Sequence, residues 1–288
     1  MRQTIAAGFI GIAGSLLLGA GAASAQGEPG RGFKLVYVDG SESGKDSLAL
    51  YDPATGRTTR LTQAFPLITT PSYNAKTGEI GFNVYERSLD ATVSCVLPSP
   101  GAKPKRAFER KRIEAFSPDG SSLLLTTSGS LDEHALILYS LADKKETLVP
   151  EATDVFRACF SPDGGRIAFQ RGLGGDSSRL FVYSAATRKV QELPNSPGGL
   201  KQLCSFTPDG KKLLCQVSSG GSWTVAFLDV ATGKYSVTKI RGANPALSPD
   251  GQFIAYQTDE KEEKVVIAKA DGSSPVVVGR GGQPLWIK

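Results

Sequence analysis

From residue 33 onward the chain is built of short apolar runs separated by polar punctuation. "FKLVYVD" at 33–39, "GEIGFNVY" at 78–85 and "RIAFQ" at 166–170 each hold four to seven residues rich in Val, Ile, Leu, Phe or Tyr. Gly, Pro, Asn, Asp and Ser cluster between them. This pattern predicts strands joined by tight turns. Helical periodicity is hardly detectable.

The runs recur. "YNAKTGEIGF" at 73–82, "FSPDGSSLLL" at 116–125, "FSPDGGRIAF" at 160–169, "FTPDGKKLLC" at 206–215 and "LSPDGQFIAY" at 247–256 align with one another. Their turn glycines, at 78, 120, 164, 210 and 251, are spaced by 42, 44, 46 and 41 residues. A second element keeps the same beat, a strand–turn–strand such as "LALYDPATGRTTRLT" at 48–62, "RLFVYSAATRKVQEL" at 179–193 and "KVVIAKADGSSPVVV" at 264–278. It occurs six times. That period is the one expected of four-stranded propeller blades.

Each unit reads strand A, Ser-Pro-Asp-Gly turn, strand B, loop, strand C, turn, strand D. The first unit has no strand A of its own. The last residues, "GQPLWIK", align Trp286 with Leu247 and so supply it. The expected fold class is an all-β, six-bladed propeller of four-stranded blades, its ring closed by the C-terminal strand, which would leave no open sheet edge.

The turn has a physical reading. Pro presets φ at the first central position, Asp bonds nearby backbone N–H groups, and Gly takes the left-handed position that closes the hairpin. Asp119, Asp163, Asp209 and Asp250 are therefore expected to be structural turn residues rather than a ring of metal ligands. The residue before the turn is bulky (Tyr73, Phe116, Phe160, Phe206, Leu247, Trp286), and the one before that is small in five of six copies. This is the size pattern needed where blades converge and a wedge between them must be filled.

"FSPDGxxIAF" followed by "LFVYS…T" resembles the WD-like repeat of the TolB family, over about 33–288. The resemblance implies a six-bladed propeller in a periplasmic protein. TolB proteins carry an α/β domain ahead of the propeller, tied to a Tol–Pal envelope role. Here only Gln26 to Gly32 precede the first strand, so a propeller without that domain is expected. The same repeat occurs in exported binding proteins and in the propeller domains of prolyl-peptidases.

Composition adds a compartment. Residues 1–25 open with Arg2, continue through the apolar "GSLLLGAGA" and end in Ala23-Ser24-Ala25, a small-residue cleavage signal. We expect a signal peptide cleaved after Ala25, a short linker at 26–32 and a propeller domain at 33–288. A periplasmic or secreted location without a transmembrane anchor follows. Without Arg2, 32 basic side chains stand against 28 acidic ones, too mild a balance to argue for a nucleic-acid partner.

Catalytic sets are not legible. The only histidine is His134, no G-x-S-x-G elbow is present, and one His cannot build the metal site of a propeller lyase. No catalytic residue, metal or cofactor is expected. Four cysteines (Cys95, Cys159, Cys204, Cys215) have no zinc-like spacing. A Cys204–Cys215 bond is not expected, whereas Cys159 and Cys204, on neighbouring inner strands, could face each other. The densest charge cluster is "KPKRAFERKR" at 103–112, expected to be a solvated outer strand.

Propeller loops divide by face. The A–B turns are uniform here and read as structure. The chain leading from strand D into the next strand A varies and is polar: Arg112 and Glu114, Arg157, Lys201 and Gln202, Arg241 and Asn244, Arg280 and Gln283. Variable side chains on a rigid repeat scaffold are how such folds make binding surfaces. These residues, with Arg171 as a further arginine, predict a positive mouth that binds an envelope protein, an acidic peptide or another carboxylate. A lyase or hydrolase acting on an anionic saccharide, and a purely structural assembly module, are the alternatives.

Overall fold

A computed structural model of the chain describes residues 32–42, 44–127, 134–172, 178–193, 201–219 and 221–288. The expected signal peptide, and the linker apart from Gly32, lie outside the described residues. Among these every regular element is a strand. β1 to β3 run Lys34–Glu42, Lys45–Asp52 and Arg57–Arg60. β4 to β7 run Ile68–Tyr73, Ile80–Glu86, Ala91–Leu97 and Lys105–Glu109. β8 to β11 run Lys111–Phe116, Ser122–Thr127, Leu136–Ser140 and Glu146–Leu148. β12 to β15 run Val155–Phe160, Arg166–Gly172, Ser178–Ser184 and Lys189–Glu192. β16 to β19 run Lys201–Phe206, Lys212–Ser219, Ser222–Asp229 and Tyr235–Arg241. β20 to β23 run Ala243–Leu247, Phe253–Gln257, Lys264–Lys269 and Val276–Ile287.

β4–β7, β8–β11, β12–β15 and β16–β19 form four separate four-stranded antiparallel blades. The remaining strands form one seven-stranded sheet, ordered β20-β21-β22-β23-β1-β2-β3, where the sequence pattern predicts two further blades. The ladder is continuous because β23 is a single long strand. Its first half pairs with β22 (Ile267↔Val276 to Lys264↔Arg280), and its second half pairs with β1 (Asp39↔Gly281 to Lys34↔Ile287). Gly281 makes the crossing possible. Its φ is 122°, and a Cβ there would lie 1.9 Å from the Val38 carbonyl oxygen.

The innermost strands touch in a ring: β4, β8, β12, β16, β20, β23 and back to β4. The core is divided accordingly. Along β1, Leu35 and Tyr37 face Phe253, Ala255 and Val265, while Val36 and Val38 face Ile68, Ile80 and Phe82. Alternate side chains thus enter two different cores, so the central strands are apolar on both faces. The bulky residues before each turn fill the wedges: Phe116 packs with Ile113 and Leu125, Phe206 with Leu213 and Leu228. Trp286 is buried, and its indole Nε1 donates to the Ala246 carbonyl at 3.0 Å.

The repeated turns are nearly self-contained. In the turn at 117–122, the Ser117 hydroxyl donates to Asp119 Oδ1 at 2.6 Å, and Ser121 N donates to the same carboxylate at 3.1 Å. Ser122 N donates back to Ser117 Oγ at 2.9 Å. The turns at Asp163, Asp209 and Asp250 repeat these bonds. The glycines after them have φ of 67° to 73°. All four cysteines are free thiols.

Candidate functional site

Every innermost strand carries a β-bulge, and in β12 it lies two residues nearer the strand start than in the others. The register shifts between Thr69 and Ser72, Ile113 and Ala115, Val155 and Arg157, Leu203 and Ser205, and Ala243 and Ala246. The sixth shift lies where β23 passes Val36 and Val38. A bulge leaves one residue out of the ladder and re-aims its side chain. At three bulges that residue is in the left-handed region: Thr70 (φ 51°), Asn244 (φ 48°) and Gln283 (φ 50°). For Thr70 this is a costly conformation, because its branched Cβ crowds the backbone, by roughly 1–2 kcal/mol. Residues held in such conformations are characteristic of binding sites.

The bulges surround a central cavity of about 220 Å³. Thr70, Glu114, Arg157, Gln202, Asn244 and Gln283 line it. Arg157 Nη1 donates to Thr70 Oγ1 at 2.7 Å, and Arg112 Nη2 donates to the same oxygen at 3.2 Å. Thr70 comes from another blade, 87 residues away from Arg157. Arg112 Nε lies 3.8 Å from Glu114 Oε1, which also accepts from Thr126 Oγ1 at 2.8 Å. With the Gln202 amide oxygen turned toward Arg157, it accepts from Nη2 at 2.9 Å and Nε at 3.0 Å. The Thr70 amide donates to Gln283 Oε1 at 2.6 Å.

Charge is concentrated here. The Glu114 side chain is only 1% exposed, and its Oε2 has no hydrogen-bond partner. Burial lowers the Arg157 guanidinium pKa, the Glu114 carboxylate opposes that shift, and Arg112 adds to it. Arg157 stays charged, because an arginine starts so far above neutral pH. Arg157 and Glu114 line the cavity and Arg112 stands beside Glu114, so the three together carry one net positive charge.

Of the residues expected at the mouth, the structure brings together Arg112, Glu114, Arg157, Gln202, Asn244 and Gln283. Lys201 lies in β16, with its side chain outside the described residues. Arg241 and Arg280 do not join them. Arg241 ends β19 opposite Thr224, and Arg280 stands within β23 where its first half pairs with β22, opposite Lys264; both are exposed. Strand D is the outermost strand of a blade, so a charge at its end stays at the rim. Arg171, the penultimate residue of β13, has its guanidinium 6.0 Å from the Phe181 ring centre and its Nε buried without a hydrogen-bond partner. His134 precedes β10, its ring 5.9 Å from Phe156.

Two sets of residues at this site escaped the sequence reading. The first lies on strand B, at matching positions of the five aligned repeats: Asn83, Thr126, Gln170, Gln216 and Gln257. Asn83 Oδ1 accepts from Ile113 N at 2.8 Å, and its Nδ2 donates to Ile113 O at 2.9 Å. Gln170 Oε1 accepts from Leu203 N at 3.0 Å, and Gln216 Oε1 accepts from Asn244 N. Asn83, Gln170 and Gln216 thus bond backbone beside the next blade's bulge, whereas Gln257 Oε1 accepts from the Asn244 side chain at 3.0 Å. The signal was a polar residue inside an apolar run ("GFNVY", "AFQRG", "LCQVS"). The second is Phe156, 48% exposed beside the D–A chain, an aromatic on the channel-mouth face. A Cβ on Gly172, at the end of β13, would meet its ring at 2.6 Å.

A family model described as the TolB beta propeller domain matches residues 31–285. Among solved structures, TolB from Acinetobacter baumannii is similar at 22% identity and a TM-score of 0.72, over 88% of this chain and 66% of that one. The chain thus spans about two thirds of that protein's length. A putative TolB from Agrobacterium tumefaciens is 13% identical with a TM-score of 0.64, over 88% and 96% of the two chains. An oligogalacturonate lyase in complex with manganese is 13% identical with a TM-score of 0.56, over 86% and 74%. No curated protein matches. Among the described residues no helix is long and apolar enough to cross a membrane.

Proposed function

The chain belongs to the TolB β-propeller domain family, and from that premise we propose that it is an exported, non-catalytic binding scaffold of the cell envelope. Its docking point is the channel mouth. The observation that carries this reading is the convergence of Arg157 from β12 and the buried Glu114 from β8 on one cavity, with Arg112 bonded to both Glu114 and Thr70 beside it. Guanidinium forks suit a carboxylate, held by paired charge-assisted bonds. The ligand class is therefore an acidic peptide or the acidic segment of an envelope protein. Phe156 adds an apolar anchor on the same face, of the kind that dominates interface energetics.

Six blades are part of the same reading. The seven-stranded sheet is two blades that share β23, its second half serving as strand A of the first. The ring of inner-strand contacts and the core cluster between β1–β2 and β21–β22 support this count. A ring closed in this way is rigid, so the six bulges hold their side chains at fixed separations. A cleavable leader at 1–25 and a periplasmic location complete the proposal.

The experiment is capture from an envelope extract with the mature chain, repeated with Arg157→Glu and Arg112→Glu together. Specific partners should be lost at least tenfold from the double variant. Arg241→Glu with Arg280→Glu should leave them unchanged. Equal capture by the channel variant and the native chain would sink the site. Turnover of a uronate polymer that disappears in Glu114→Gln would replace binding with catalysis.

A further inference from the structure

A second cavity, about 390 Å³, lies between the segment linking β3 to β4 and blade β4–β7. Its inner wall is apolar. Val84 and Val93 stand opposite each other across β5 and β6, both buried, with Cys95 beside them. Phe65 closes the other side, its ring edge-on to Phe82 at 5.6 Å. Burial raises the Cys95 thiol pKa, so no charge forms on this wall near neutral pH.

The rim is basic. Arg87, Lys103 and Arg106 line it together with Glu86. Arg106 is neutralised by ion pairs with Glu86 and Glu109. Arg87 and Lys103 are both exposed, and among the described residues neither makes an ion pair. The rim therefore keeps two cations, Arg87 and Lys103, outside any ion pair. The structure also divides the basic run at 103–112: Arg112 reaches the channel, Lys111 pairs with Glu146, and Lys103 and Arg106 turn to this cavity.

We propose that this cavity binds a small amphiphile, with an apolar chain or ring against Val84, Val93 and Phe65 and one acidic head at Arg87 and Lys103. The volume lies within the range of small-molecule sites, about 300–1,000 Å³, and an apolar wall with a few polar groups at one end is their usual construction. An apolar group with a carboxylate can arrive as a free acid or as the C-terminal residue of a peptide. The chemistry recognised is the same. The proposal is independent of the channel mouth, since the two cavities share no lining residue.

Isothermal titration of the mature chain tests it, with decanoate against decanol, and a heptapeptide ending in Phe against its C-terminal amide. The expected result is saturable binding of at least one acid, at least tenfold tighter than its neutral partner. Arg87→Glu with Lys103→Glu should abolish that preference, whereas Arg112→Glu should not change it. Arg87 and Lys103 are exposed, so their substitution leaves the core intact. Preference for decanoate alone assigns a free acid, and preference for the peptide acid alone assigns a chain terminus. Bound ligand should also slow modification of Cys95 by methyl methanethiosulfonate, read by peptide mass spectrometry. Absence of binding by both acids, equal affinity for acid and neutral forms, unchanged binding in the charge-reversed variant, or unprotected Cys95 would overturn the proposal.

Discussion

The two faces of the propeller are built from the same strands and solve opposite problems. On the turn face, four copies of Ser/Thr-Pro-Asp-Gly close their hydrogen bonds mainly within five residues. On the mouth face, bonds run between blades: Asn83 to Ile113, Gln170 to Leu203, Arg157 to Thr70, Gln283 to Thr70. Local bonding permits repetition, because each copy satisfies itself. Bonding between blades permits variation, because each junction uses its own side chains. A repeat protein can therefore conserve shape at one end and place chemistry at the other.

The comparison breaks most severely at Asn83. Asn83 is fully buried, and its amide holds both the N–H and the C=O of Ile113. Asn83→Ala removes both bonds in the core, leaving the Ile113 C=O without this donor and its N–H with only Ser94 Oγ at 3.1 Å, and is expected to cost about 2–4 kcal/mol. Denaturant unfolding measures it. A cost below that of the turn variants would show that the mouth bonds between blades do not carry the ring.

A smaller effect sharpens the turn side. Gly164 and Gly120 occupy the same position, with φ of 70° and 68°. A Cβ on Gly164 meets only Pro118, at 3.8 Å, so Gly164→Ala should cost about 1 kcal/mol from the left-handed backbone alone. A Cβ on Gly120 would lie 2.4 Å from Asn74 Oδ1 and 2.7 Å from Lys76 Cβ, so Gly120→Ala should cost roughly twice as much. Equal unfolding midpoints for the two variants would mean that the turns do not touch across blades.

The smallest effect is one of pH. Hydrogen bonds from Ser117 and then Ser121 hold the Asp119 carboxyl down at about 2. Unfolded, it titrates near its ordinary value of about 3.9. A carboxyl depressed on folding contributes stability that is present above about pH 4 and lost as pH falls through about 2. Asp119→Asn should therefore lose less stability than the native chain between pH 5 and pH 2. Asp119 is exposed, so the difference is small. Parallel acid-unfolding curves for the two proteins would remove Asp119 from the turn's electrostatics.

Much of this was legible in the sequence, because it follows from local rules. The turn Asp and Gly residues are chosen by the φ values that a hairpin needs. The unbroken apolar run "LVYV" and the small-bulky pair before each turn follow from strands with a core on each side. The match of Trp286 with Leu247 placed the last strand next to the first, and Leu35 does pair with Trp286. Arg112, Arg157 and Glu114 were visible as polar residues leading into strand A.

The tertiary structure decided which of those polar residues meet. Arg241 and Arg280 look equivalent to Arg157 by position in the repeat, yet both lie exposed on outer strands. One bulged residue turns a side chain from the blade face toward the axis, and a bulge has no spelling in a single sequence. For the same reason Thr70 was overlooked, although both Arg112 and Arg157 reach it. The amides on strand B looked like interruptions of apolar runs until their partners, 30 residues or more away, were brought beside them. Sequence determined the repeated unit, since its bonds are short-range. The ring alone determined the site, since a channel exists only where separate blades converge.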